Sequence, residues 1–197
     1  MRGRSLPLII TLIVVVVLLL WGCGGYNGLV KQDETVKNSW NNVQSQYQRR
    51  ADLIPNLVNT VKGEANFEQT TLTNVIEARA KATSIQVNPN DLTPEKMQQF
   101  QQAQGQLSTA LGRLLAVSEA YPNLQTNQAF IGLQTQLEGT ENRIAVSRND
   151  FNSAVNDYNT KVRTFPTAIF AGIMGFHVRQ GFTADAGSQN TPKVDFN

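Results

Sequence analysis

Arg49, Arg50, Asp52 and Asn56 fall within two helical turns, and Glu138, Glu141, Arg143 and Arg148 form a second charged cluster further along the chain. Cations and carboxylates at such spacing could line a polar groove that recognises a partner's carboxylate or peptide backbone. The same groups could instead be caps and inter-helix ion pairs that fix the register of packed helices, the best-attested use of buried polar pairs. No constellation for catalysis accompanies them. A carboxylate-bridged metal pair in a helical bundle needs Glu-x-x-His on two helices, and the sole histidine, His177, stands in Gly175-Phe176-His177-Val178 with no Glu three residues before it. Cys23 has neither His nor acid nearby to activate it as a nucleophile. Glycine patterns for phosphates or dinucleotides are absent. The expectation is therefore no catalytic residue, no cofactor and no metal. The candidate partner-binding set is Arg49, Arg50, Asp52, Asn56, Glu138, Glu141 and Arg148.

What must position these groups begins at the amino end. From Leu8 to Trp21 the chain carries no charge and a single hydroxyl, Thr11. Fourteen helical residues reach only about 21 Å, but extension over Leu6 to Gly25 approaches the ~20 residues that one bilayer crossing needs. Residues 6–25 are then a retained anchor helix. Alternatively, Met1 to Gly22 is a signal peptide with a basic start at Arg2 and Arg4. Leu20-Trp21-Gly22-Cys23 resembles a lipobox, which makes Cys23 a candidate for lipidation; Trp21 departs from that pattern and equally suits a helix end in the headgroup layer. Both readings end at a membrane, with lipid as a partner. Arg2 and Arg4 precede the run and Lys31 is the first basic residue after it. The positive-inside rule then places Met1 in the cytoplasm and the bulk of the chain outside it.

The whole chain holds 17 Lys plus Arg against 15 Asp plus Glu. Arg2 and Arg4 account for the excess, so residues 26–197 are neutral and offer no long-range field for nucleic acid. No cysteine lies beyond Cys23, so no intrachain disulfide can form there, and packing must hold the fold.

Apolar residues then follow a helical period. Leu29, Val36, Trp40, Val43, Tyr47, Ala51, Ile54, Val58, Val61 and Ala65 make one seam. Pro55 interrupts it by removing the bond to the Ala51 carbonyl, which predicts a kink or a restarted helix capped by Asp52. Asn66 can cap a segment from Phe67 to Ser84 with Leu72, Val75 and Ile76 on one face. Asn88-Pro89-Asn90 is a turn. Thr93-Pro94-Glu95 opens a third helix with a hydroxyl cap, a first-turn proline and an acid at the positive dipole end. Its seam is Met97, Phe100, Leu107, Leu111, Leu114 and Tyr121, and Pro122-Asn123 ends it. The fourth seam runs Phe130, Leu133, Leu137, Ile144, Phe151, Val155, Tyr158, Val162, Phe165, with Pro166 as its stop. Ala168 to Phe176 is a short apolar piece, and residues 183–197 read as a flexible polar tail. No period-2 stretch is long enough for a strand. The expectation is all-α: an elongated antiparallel up-and-down four-helix bundle over residues 26–182, behind an anchor or lipoprotein signal in residues 1–25.

Several strings are more specific than periodicity. Tyr26-Asn27-Gly28-Leu29-Val30, Tyr47 through Val58, Thr60-Val61-Lys62-Gly63 and Glu77-Ala78-Arg79-Ala80 resemble the LemA family. So do Glu119-x-Tyr121-Pro122, Leu137 through Ala145, Arg148, Tyr158-Asn159, Phe165-Pro166 and Val194-x-Phe196. The resemblance implies a short N-terminal membrane segment, a four-helix bundle and no established enzymatic activity. Cys23, which many members lack, and the Gln/Asn-rich stretch 86–106 depart from the pattern. Anchor and amphipathic rod together suggest a non-enzymatic scaffold or adaptor for other envelope proteins. The alternative is a lipoprotein that binds a small molecule or peptide at the bundle end, near Arg49–Asp52 or Phe176.

Overall fold

The computed structural model describes residues 5–64 and 67–183. All regular structure among them is helical: α1 (Ser5–Lys62), α2 (Gln69–Ser84), α3 (Pro94–Ser118), α4 (Pro122–Thr126), α5 (Gln128–Arg163) and α6 (Thr167–Ile173). α1 is one uninterrupted helix of 58 residues, about 87 Å at 1.5 Å per residue. The apolar run and the first seam of the core therefore share one helix axis, with no break near residue 25.

Pro55 neither restarts this helix nor makes Asp52 a cap. Both lie inside α1, and Asp52 is exposed, accepting from Gln48 at 2.8 Å. The carbonyl that proline orphans, Ala51 O, accepts instead from Arg79 Nε on α2 at 2.8 Å. A donor from the next helix replaces the missing backbone N–H, so the helix continues.

Other boundaries follow local chemistry. Asn66 lies outside the described residues, and α2 opens after Glu68 without a side-chain cap. Thr93 caps α3 as expected, its hydroxyl accepting from Lys96 N at 3.3 Å. α3 ends at Ser118, ahead of Pro122, which opens α4. Asn127 caps α5 by accepting from Ala129 N and Phe130 N. Ile76 and Phe165 leave the seams assigned to them and are exposed.

Contacts fix the directions of the helices. Along α1, Gly28, Trp40 and Arg50 meet Lys161, Phe151 and Glu141 of α5, so these two run antiparallel. Ala51 of α1 meets Arg79 of α2, and Trp40 Nε1 donates to Val87 O beyond α2 at 2.9 Å, again antiparallel. Gln104 of α3 reaches Ala82 O of α2, while Arg113 faces Glu68 at 3.8 Å.

The core divides into two apolar clusters along the rod. The first gathers Leu29, Val36, Trp40, Phe100, Phe151 and Tyr158 among others. Trp40 packs at 5.2–5.9 Å against Phe100, Phe151 and Phe182. The second gathers Ile54, Leu57, Leu72, Val75, Leu107, Leu114 and Leu137. Between them, α1, α3 and α5 contribute Arg50, Gln104 and Thr140, all buried.

After α6, Gly175 turns the chain with φ of 79°, and residues 176–183 run back in extended form along α5. Asn159 exchanges two hydrogen bonds with the backbone of Arg179, both 2.8 Å. Seven residues earlier on α5, Asn152 does the same with Phe182, at 3.2 and 2.8 Å. A Cβ on Gly181 would stand 2.7 Å from Asn152 Oδ1, so any larger residue there must displace the Asn152 amide.

Candidate functional site

Arg50 reaches the polar layer because it follows Tyr47 by one turn minus a fraction and precedes Ile54 by one turn, on the face α1 turns inward. It is 1% exposed. Its Nη1 donates to Glu141 Oε1 at 2.7 Å and to Ser108 Oγ at 2.8 Å. Its Nη2 donates to Gln104 Oε1 at 2.5 Å and to Gln104 O at 3.3 Å. The guanidinium also lies 5.0 Å from the centre of the Tyr47 ring. Nε is buried without a hydrogen-bond partner.

Beside this layer runs a groove between α3 and α5 of about 370 Å³, lined by Gln101, Gln104, Ser108, Glu141 and Arg148 among others, with Arg50 and Tyr47 at its floor. Glu141 is 45% exposed along its side chain, so it faces both the buried guanidinium and the groove. Arg148 lies over the Phe182 ring at 4.7 Å. Three of the seven candidate partner-binding residues, Arg50, Glu141 and Arg148, thus converge here. Arg49, Asp52, Asn56 and Glu138 do not line it and are exposed; Glu138 accepts from Gln134 at 3.1 Å on its own helix.

A second polar node lies nearer the amino end of the core. Arg179 Nη2 donates to Asp33 Oδ1 at 2.6 Å and Nη1 to Pro89 O at 2.9 Å, and its guanidinium lies 5.4 Å from the Tyr158 ring centre. Asp33 also pairs with Lys37 at 2.9 Å. Hydrogen bonds from Lys37 to Glu34 and Asp33 hold its ammonium above the usual lysine pKa. Burial pushes the Tyr158 phenol up, opposed by Arg179. His177 is exposed and borders a hollow of about 390 Å³ that also includes Asp33 and Arg179. Sequence reasoning missed Asp33, Arg179, Asn152 and Asn159. The seven-residue spacing of the two asparagines on one helix was the signal available.

Chemically, the groove offers fixed donors and acceptors. Ser108 Oγ receives a hydrogen bond from Arg50, and no histidine lines the groove to take the hydroxyl proton. Among the described residues, no cluster of three His, Cys, Asp or Glu could hold a metal ion. Cys23 lies within α1, and its side chain is outside the described residues, as are Arg2, Arg4 and residues 184–197. Among the described residues, no helix is long and apolar enough to cross a membrane.

Long antiparallel helices cross-linked by a buried arginine layer define an all-helical rod with a polar groove on its flank. The profile of the LemA family matches residues 39–196, and the chain belongs to that family. Similar curated proteins include magnetosome protein MamQ 1 of Paramagnetospirillum magneticum and magnetosome protein MamQ of Magnetospirillum gryphiswaldense. Each is 26% identical over 170 residues, covering 77% of this chain and 62% of the relative. Protein LemA of Metamycoplasma hominis is 23% identical over 144 residues, covering 73% of this chain and 62% of its own. The chain thus spans about 62% of the length of the curated relatives it matches.

Proposed function

We propose that this chain is a membrane-anchored, non-enzymatic adaptor of the envelope, whose helical domain stands outside the cytoplasm and holds other envelope proteins. In this reading α1, α2, α3 and α5 form an elongated up-and-down four-helix bundle. Residues 6–25 are its attachment as a spanning helix; in the lipid form, with the chain cut ahead of Cys23, acyl groups on Cys23 take their place. The observation that carries the reading is the continuity of α1: the apolar run from Leu8 to Trp21 and the core residues from Leu29 to Val61 belong to one helix. A rod fixed rigidly to its anchor presents its flank at a set height above the bilayer, which suits positioning of partners rather than turnover. Photo-crosslinking from the groove in intact cells tests it. A crosslinker replacing Gln101 or Thr109 is expected to capture defined envelope proteins, and one at Val146 to capture fewer. Equal background from all three positions contradicts the adaptor reading.

One observation favours a second reading. The buried Nε of Arg50 has no acceptor, and a ligand carboxylate entering the groove could supply one. In that case the chain is a lipoprotein that binds a small molecule or peptide, with its site on the flank of the rod. Binding of short acidic peptides to the full chain in detergent, abolished by Arg148→Glu, would select this reading over the first.

A further inference from the structure

Beyond the apolar run of α1, exposed large apolar side chains gather around α6. Ile169 and Ile173 are one turn apart on the same face of that helix, 55% and 81% exposed, and Phe165, one further turn back along the chain, is 74% exposed. Isolated exposed apolar side chains are ordinary on protein surfaces, but a run of large ones marks a contact surface. The opposite face is already committed, because Ala171 is buried in the first core cluster.

Position decides what the surface meets. Phe170, Pro166 and Thr167 border a hollow with Gly24 and Gly25 of α1, and Tyr26 packs edge-on to Phe176 with ring centres 6.0 Å apart. α6 therefore sits against α1 where the apolar run ends. On the amino side of that point, α1 exposes Ile9, Ile10, Leu12, Ile13 and Val16. α6 thus stands beside the carboxyl end of the apolar run with Ile169 and Ile173 uncovered. Charge agrees with the placement: residues 161–176 contain Lys161 and Arg163 and no Asp or Glu, while Arg179 further on is taken up by Asp33. Apolar and aromatic side chains beside basic ones, without acids, are the composition of a segment lying on an anionic lipid interface.

We propose that Phe165 and α6 insert their apolar side chains into the bilayer interface beside the anchor, giving the domain a second contact with lipid. This contact stops the rod from swivelling about α1 and fixes which flank faces away from the membrane. The inference rests on the reading that residues 6–25 enter the bilayer.

The test uses the full chain in phosphatidylcholine–phosphatidylglycerol vesicles, with and without lipids brominated on the acyl chain near the headgroup. The two native tryptophans are Trp21, in the apolar run, and Trp40, in the core. Bromine is expected to quench part of the wild-type emission, through Trp21. The emission added by Ile173→Trp is expected to be lost as well, while that added by Val146→Trp, exposed in the middle of α5, persists. Should Ile173→Trp alter the helical circular dichroism, Ile169→Trp, one turn away, replaces it. A quenched wild type with an unquenched added tryptophan at 173 or 169 overturns the lipid contact and leaves the anchor standing; that is the result if a protein or a second copy covers the stripe. An unquenched wild type overturns both.

Discussion

Arg50 is the residue on which the geometry converges, and its removal separates two roles. Arg50→Ala leaves the buried Gln104 Oε1 without its donor, a loss of about 1–3 kcal/mol, while Glu141, 45% exposed, turns to water. Urea unfolding of the variant should show a loss of that order. Replacing the layer with apolar groups of similar volume behaves differently, since a well-packed substitute escapes the cost of desolvating charge. Arg50→Met with Gln104→Leu is therefore expected to unfold within about 1 kcal/mol of wild type, or later. If the layer sets register, that double variant should also show broadened amide spectra or altered oligomeric state despite its stability. Tyr158 and Lys37 make a pH prediction. Both hold their protons more tightly in the folded state than their ordinary values of 10.0 and 10.5 imply. The unfolded chain loses those protons first as pH rises. Their contribution is complete below about pH 10 and declines above it. The thermal midpoint should fall between neutral pH and about pH 11, and Tyr158→Phe should shallow that fall.

At the scale of the element, α1 survives its internal proline because α2 supplies a donor. Arg79→Ala leaves Ala51 O without its partner and should cost about 1–3 kcal/mol in urea unfolding. Adding Pro55→Ala to that variant restores a backbone N–H beneath the same carbonyl and should recover much of the loss; no recovery would place the role of Arg79 elsewhere. The extended segment after α6 makes a parallel case. Gly181→Ala should force Asn152 away and raise hydrogen exchange at Phe182 N, whose bond to Asn152 is 2.8 Å long. These features mark where sequence reading stops. Seams such as Val36-Trp40-Val43-Tyr47 announced themselves, because burial on one helix face imposes a spacing of three and four. The bridge from Arg79 to Ala51 O joins residues 28 apart, and nothing in local spacing encodes it. Asn152 and Asn159 carried no expectation of a tertiary contact, since their partners lie in a segment with no hydrophobic period. Arg50 was visible as a candidate, but its companions were not. Arg49 and Asp52 lie one and two residues from Arg50, yet rotation by about 100° per residue carries them to other faces, while Gln104 and Ser108 arrive from a helix about fifty residues on. Phe165 fitted the fourth seam by spacing alone, but α5 ends at Arg163, so the period no longer applies to it.

At the scale of the molecule, the chain is a rod in which two apolar cores flank one polar cross-section, with an apolar helix running from the first core. Burial of Trp40 between Phe100, Phe151 and Phe182 ties α1, α3, α5 and the terminal extended segment together in that core. Trp40→Ala should therefore destabilise the domain by about 3–5 kcal/mol and release residues 176–183 from α5. Family membership, the continuous α1 and the apolar surface beside it support the proposal of work at a membrane, and Arg2 and Arg4 ahead of the apolar run support its second part, a domain outside the cytoplasm. Protease digestion of spheroplasts expressing the full chain tests that claim most directly. The chain is expected to sediment with membranes, and external protease to remove the helical domain without lysis. A chain found in the soluble fraction, or a membrane-bound domain protected until the cells are broken, would contradict it.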